Sequence, residues 1–171
     1  MNAVRKLLDL WQIRRDPVAW ARSQGARVGE GCRLLGVSHA TFGGEPWLVT
    51  LGDHVSISAG TRLLPHDGGV WVFRGKHPDA ELFGAITVGS NVFIGIDVLV
   101  MPGVTIGDNV VIGARSVVTR DIPPGVVAVG SPCKPIKSIE EYWRSIEGRI
   151  VHTKLLPPAE KRRRVGAMYR P

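Results

Sequence analysis

Residues 88–123 run VGSNVF, IGIDVL, VMPGVT, IGDNVV, IGARSV and VTRDIP. The first positions are Val88, Ile94, Val100, Ile106, Ile112 and Val118, spaced six apart and all β-branched. The second positions are Gly89, Gly95, Met101, Gly107, Gly113 and Thr119, and the fifth are Val92, Val98, Val104, Val110, Ser116 and Ile122. A period of six fits neither a helical turn nor the simple alternation of a strand. It fits a short strand followed by a turn, with one inward side chain per face and glycines where the chain must bend. Three such faces close a triangular coil, and stacked coils bury a continuous aliphatic column.

Shorter stretches upstream keep the register: VGEGCR and LLGVSH from Val28, LGDHVS and ISAGTR from Leu51. A β-sandwich with glycine turns is the ordinary alternative, but its turns recur less regularly. The run resembles the hexapeptide-repeat acyltransferases, sugar O- and N-acetyltransferases of the galactoside, maltose and surface-polysaccharide kind. That resemblance, not the spacing, implies a mainly β fold in which the parallel β-helix is left-handed, against the usual crossover rule. The chain is then one acyltransferase domain, 1–171. It comprises an N-terminal helical segment (1–27), the β-helix (28–137) with a protruding loop at about 64–85, and a C-terminal helix with a basic tail (138–171).

The flanks support that division. Ala3–Arg15 places Val4, Leu7, Leu8 and Trp11 on one helical face and ends before Asp16-Pro17. Ser138–Ile150 places Ile139, Tyr142, Trp143 and Ile146 on another, with Ser138 as cap and Glu140 and Glu141 in the first turn. Both serve to cover the open ends of a solenoid. From Lys154 the tail holds Pro157-Pro158 and the run Lys161 to Arg164, which reads as extended or packed on a neighbouring subunit.

The formal charge of +7 sits at the ends: +4 over residues 1–27 and +5 over 154–171, leaving −2 between them. A nucleic-acid binder needs its basic face on the folded body, so that class is disfavoured. Terminal charge reads as solvated tails or a weak attraction to anionic surfaces or acidic substrates. No apolar run approaches the roughly 20 residues that span a bilayer. Arg5, Lys6 and Asp9 interrupt the N-terminal apolar stretch, against a secretory signal. Two cysteines, Cys32 and Cys133, without metal-type spacing suit a reducing cytoplasm.

The six-residue register breaks after Leu63 and resumes at Val88. The excursion LLPHDGGVWVFRGKHPDAELFGA, residues 63–85, carries His66, Asp67, Trp71, Arg74 and His77. Long excursions from rigid scaffolds are where function concentrates. Acyl transfer to a neutral hydroxyl needs a base to take its proton, and imidazole suits neutral pH. Its other ring nitrogen needs an acceptor, for which Asp67, backbone carbonyls and Glu45 are available. The resemblance points to His66, in PHDGG followed by WVFR, as the base, with Asp67 beside it; His77, in a His-Pro pair, is the rival. Cys133, in SPCKPIK, reads as structural although Lys134 adjoins it.

The same resemblance implies acetyl-CoA as co-substrate and no metal. Ile96, Ala114, Thr119 and Arg120 match cofactor contacts, and Lys134 and Lys137 match residues that meet the nucleotide phosphates; Gly95 and Ala114 are small, so the cofactor's arm can lie close to the backbone. Ile96 departs from the small or polar residue usual there, which leaves a backbone contact. FGGEPW, residues 42–47, resembles a segment of enzymes acting on polysaccharide or nucleotide-linked sugars. Glu45, Trp47, Asp67, Trp71 and His77 are the acceptor candidates, with the tryptophans suited to stacking on a sugar. The helical domain of serine acetyltransferases is not seen, which disfavours serine. Relatives are trimers, so a homotrimer with interfacial sites is implied, with backbone amides steadying the oxyanion. Alternatives are a xenobiotic acetyltransferase, a zinc-dependent γ-type carbonic anhydrase using His54, His66 and His77, and a non-catalytic scaffold.

Overall fold

The computed structural model describes the backbone of residues 3–169 and the side chains of residues 9–169. The apolar face read for Val4, Leu7 and Leu8 therefore lies outside the described side chains.

Short strands stack into three parallel faces. Face one holds Arg27–Val28, Val49–Leu51, Ile86–Val88 and Thr105–Ile106. Face two holds Arg33–Leu34, Ser56–Ile57, Phe93–Ile94, Val111–Ile112 and Val126–Val129. Lys134–Ser138 adds an antiparallel edge to face two. Face three holds Arg62–Leu63, Leu99–Val100 and Val117–Val118. Register runs coil to coil in steps of about one turn of the prism, as in Leu51 to Val88 to Ile106.

The six first positions from Val88 to Val118 are at most 1% exposed, and the fifth positions from Val92 to Ile122 at most 3%. Each buried aliphatic chain contributes about 1.5–3 kcal/mol, so the column dominates the stability of the molecule. Ser116 is the polar member of the fifth-position set. Its hydroxyl donates to the Gly113 carbonyl at 2.7 Å and accepts from the Gly130 amide at 3.0 Å, which satisfies it.

The glycines of the repeat take two roles, and those at fourth positions, Gly31, Gly60 and Gly103, do turn the chain as the sequence suggests. Bending happens at the fourth position, where Asn91, Asp97, Gly103, Asn109 and Arg115 all have φ between 56° and 79°. Second-position glycines instead permit close coil stacking. A Cβ at Gly95 would sit 2.6 Å from the Ala114 nitrogen, and one at Gly107 2.6 Å from the Pro124 nitrogen.

Helices close the ends. Helix α1 spans Ala3–Arg15 and α2 Pro17–Ser23, the latter unforeseen in the sequence. Asp16 caps α2 by accepting the Ala19 amide at 2.9 Å, and Pro17 starts it at no hydrogen-bond cost. Trp20 and Ala21 of α2 are buried on the first coil. Helix α3 spans Ile139–Ile146, with the expected Ser138–Glu141 capping box, then tightens to a 3-10 turn at Glu147–Arg149.

The tail corrects the extended reading. Pro158–Met168 forms helix α4. Proline is tolerated in a first turn, and the Ala, Glu, Lys and Arg that follow are strong helix formers. A Glu160–Arg164 pair at 3.0 Å adds support, although α4 has no buried residue. No helix among the described residues is long and apolar enough to cross a membrane.

Candidate active site

The loop from Leu64 to Ala85 leaves face three and returns to face one through a closed neck. Asp67 N–H donates to Leu82 O and Gly84 N–H to Pro65 O, both at 2.8 Å, around an antiparallel bridge between His66 and Phe83. His66 thus stands on a two-sided backbone clamp. Gly84 lets the neck lie on the column, since a Cβ there would sit 2.8 Å from the Pro102 carbonyl carbon.

A second segment reaches the same neck. Phe42 is buried, and Gly43 turns with φ of 63° directly against Pro65; a Cβ on it would meet Pro65 Cδ at 2.8 Å. That turn delivers Glu45, at the start of the 3-10 turn Pro46–Leu48, to His66. Glu45 Oε2 lies 2.6 Å from His66 Nδ1, with Glu45 20% and His66 43% exposed. A carboxylate only accepts, so Nδ1 carries the hydrogen. In a neutral ring Nε2 then bears the lone pair, the arrangement a general base requires.

The cleft around this pair has a volume of about 310 Å³. Asp67, Trp71, Arg74, Glu81 and Phe83 line it with the pair. Asp67 itself caps the 3-10 helix Gly68–Phe73, accepting the Gly69 amide at 2.8 Å. Its described hydrogen bonds do not include His66, and Glu45 holds the ring instead. The Arg74 guanidinium lies 5.8 Å from the Trp71 ring centre, within cation–π range.

The remaining candidates are dispersed. His77 is exposed, its amide bonded to Phe73 O at 2.9 Å, and it does not line the cleft. Trp47 lines a separate hollow with Trp20, His39 and Phe42. Gly95, Ile96 and Ala114 share the corner between faces two and three, where Arg115 N–H donates to Ile96 O at 2.8 Å. Ile96 is exposed, as are Ala114, Thr119 and Arg120. Lys134 and Lys137 lie on the antiparallel edge, opposite Val129 and Val127. Cys133 is buried, and burial pushes its thiol up against a weaker opposing bond with Ser116, which disfavours the thiolate a nucleophile needs.

Sequence reasoning missed Gly43 and Gly84 as the residues that position the pair. Their signal is a glycine flanking each contact segment, before Glu45 and after Phe83, but only the fold shows what each glycine touches.

Comparison with known proteins adds the family. Residues 85–120 match the model described as bacterial transferase hexapeptide (six repeats). Protein CapG of Staphylococcus aureus is 50% identical over 141 residues, covering 82% of each chain. The chain belongs to the hexapeptide-repeat acyltransferases. Galactoside O-acetyltransferase of Escherichia coli (strain K12) is a more distant acyltransferase relative, 46% identical over 98 residues. The match covers 57% of this chain and 47% of that one, so the chain spans about half of that relative's length. A galactoside acetyltransferase solved in complex with coenzyme A superposes with a TM-score of 0.51 at 25% identity, over 82% of both chains. The three-faced column of this acyltransferase is accordingly the left-handed parallel β-helix.

Proposed function

We propose that the protein transfers acetyl from acetyl-CoA directly to a hydroxyl or amino group of a sugar, with His66 as general base. The 2.6 Å contact between Glu45 and His66 carries this reading. Glu45 fixes the tautomer and the ring plane, and Nε2 takes the acceptor's proton as its oxygen or nitrogen attacks. The imidazolium formed is stabilised by the adjacent carboxylate and returns its proton to the departing thiolate. Glu45 is the positioning residue; Asp67 shapes the cleft through its cap and is available to an acceptor hydroxyl. Trp71 offers a sugar a stacking face, and His77 and Trp47 contribute farther out along the acceptor.

Acetyl-CoA supplies an activated thioester. The residues at the corner of Gly95, Ile96 and Ala114 suit its thin arm: Ile96 and Ala114 are exposed there, and Gly95, packed on Ala114, keeps the two coils close beneath them. Thr119 and the exposed cations Arg120 and Lys134, with Lys137 beyond, suit the phosphates. No metal enters the scheme.

In this reading all 171 residues form one acyltransferase unit that works in the cytoplasm as a homotrimer. Exposed Trp71, Val72 and Phe73 on the loop, with Leu82 and Phe83 beside them, favour a second copy as their cover. Nucleotide-linked sugars and surface-polysaccharide precursors are the favoured acceptors. The test is thiol release from acetyl-CoA across nucleotide-linked amino sugars and plain glycosides. Release that depends on a sugar is expected; no release with any sugar, while a xenobiotic amine or alcohol supports it, overturns the substrate class.

A further inference from the structure

A larger groove of about 550 Å³ lies at the corner between faces one and two, away from the His66 cleft. Its chemistry is opposite in sign. Glu45, Asp67 and Glu81 line the His66 cleft against a single cation, Arg74. The corner groove is lined by Arg33 and Lys154 and by no aspartate or glutamate.

Both cations are exposed, and among the described residues neither forms an ion pair. Arg33 Nε and Nη2 each lie 3.4 Å from Ser56 Oγ, a long contact that leaves most of the guanidinium fork unused. A planar, always-charged fork with free donors matches carboxylate or phosphate oxygens.

The corner wall is a side-chain ladder. His54 Nδ1 lies 2.9 Å from Asn91 Oδ1, and Asn91 Nδ2 donates to Asn109 Oδ1 at 2.8 Å. His54, Asn91 and Asn109 share φ of 55–56°, so they stack one above another at the same turn of successive coils. The ladder uses the amide oxygens on itself and leaves the imidazole Nε2 and the terminal Asn109 amide hydrogens for a ligand's hydroxyls. Phe93, 41% exposed on the strand next to Ser56, gives the floor an aromatic face. Free cations, neutral hydroxyl partners and one aromatic platform together describe a charged sugar.

We propose that this corner groove binds an anionic sugar, with Arg33 and Lys154 on its carboxylate or phosphate and Phe93 beneath the ring. The site goes beyond the acetyl-transfer reading and does not depend on it, because its occupancy needs neither acetyl-CoA nor His66.

The test is calorimetric binding to the full chain without acetyl-CoA. The probes are methyl glucuronide (carboxylate), glucose 1-phosphate (phosphate), methyl glucoside (neutral) and coenzyme A. At least one anionic sugar should bind about tenfold tighter than the neutral one. Arg33→Gln and Lys154→Gln should each weaken it several-fold, while His66→Ala leaves it unchanged. Whichever anionic probe binds names the source of the charge. Lys154 lies on an exposed segment, so Lys154→Gln decides the matter if Arg33→Gln fails to fold.

Results of three kinds would overturn the proposal. One is no anionic binding at about 10 mM, where a millimolar Kd would still register. Another is equal affinity for the neutral sugar, or anionic affinity untouched by both variants. The third is coenzyme A binding that alone weakens with Arg33→Gln, which would assign the groove to the co-substrate.

Discussion

Along residues 88–123 the inward first positions are at most 1% exposed, whereas on the loop Trp71, Val72 and Phe73 stand 62–75% exposed. In the column every coil repeats the same demands: a branched chain inside, a glycine against the next coil, a left-handed turn at the corner. The loop repeats nothing. Its chemistry gathers at the neck, where two backbone hydrogen bonds and the Gly43 turn bring Glu45 to His66. Stability is concentrated in the periodic part and chemistry in the aperiodic part, so substitutions should separate the two.

The sharpest separation comes from the column. Ile106→Ala should cost about 2–5 kcal/mol, because the stacked coils cannot collapse into the space left behind. Calorimetric unfolding checks it, and a loss under about 1 kcal/mol would mean the column is looser than its burial implies. Glu45→Gln should leave unfolding nearly unchanged while lowering kcat about 10–100-fold with little change in KM. A change confined to KM would make Glu45 an acceptor contact and not a positioning residue.

Gly43→Ala lies between the regions. It forces a side chain into φ of 63° and against Pro65, so the Glu45 turn must shift. Turnover should drop about tenfold with a stability loss of about 1–2 kcal/mol. Unchanged turnover would show that the turn does not set the Glu45–His66 distance. The smallest effect belongs to the corner. Arg115 holds φ of 58° with only an exposed 3.8 Å contact to Asp97 in return. Asparagine tolerates that conformation, so Arg115→Asn should raise stability by up to about 1 kcal/mol. A loss instead would show that the Arg115–Asp97 pair outweighs the backbone strain.

The same contrast explains what could be read from the chain. Val88 to Val118 announce a coiled column because a period of six fits a repeated strand and turn, with its hand supplied by the resemblance, and the Ser138–Glu141 box announces α3 because capping is local. The pairing of His66 with Glu45 was open among several acceptors. They lie 21 residues apart, and their meeting depends on Gly43 touching Pro65, a contact that no spacing encodes. Asp67 adjoins His66 in sequence yet turns to cap its own helix. The tail misled for another reason. Two prolines beside a block of cations read as extended chain, although Pro158 sits where a helix accepts it.

The central claim is that the clamped imidazole at the loop neck removes the acceptor's proton. Turnover and coenzyme A affinity of His66→Ala, measured side by side on the folded protein, test it most directly. Turnover should fall about 100-fold or more while coenzyme A affinity stays within about twofold of the wild type. A variant that turns over near the wild-type rate would contradict the account.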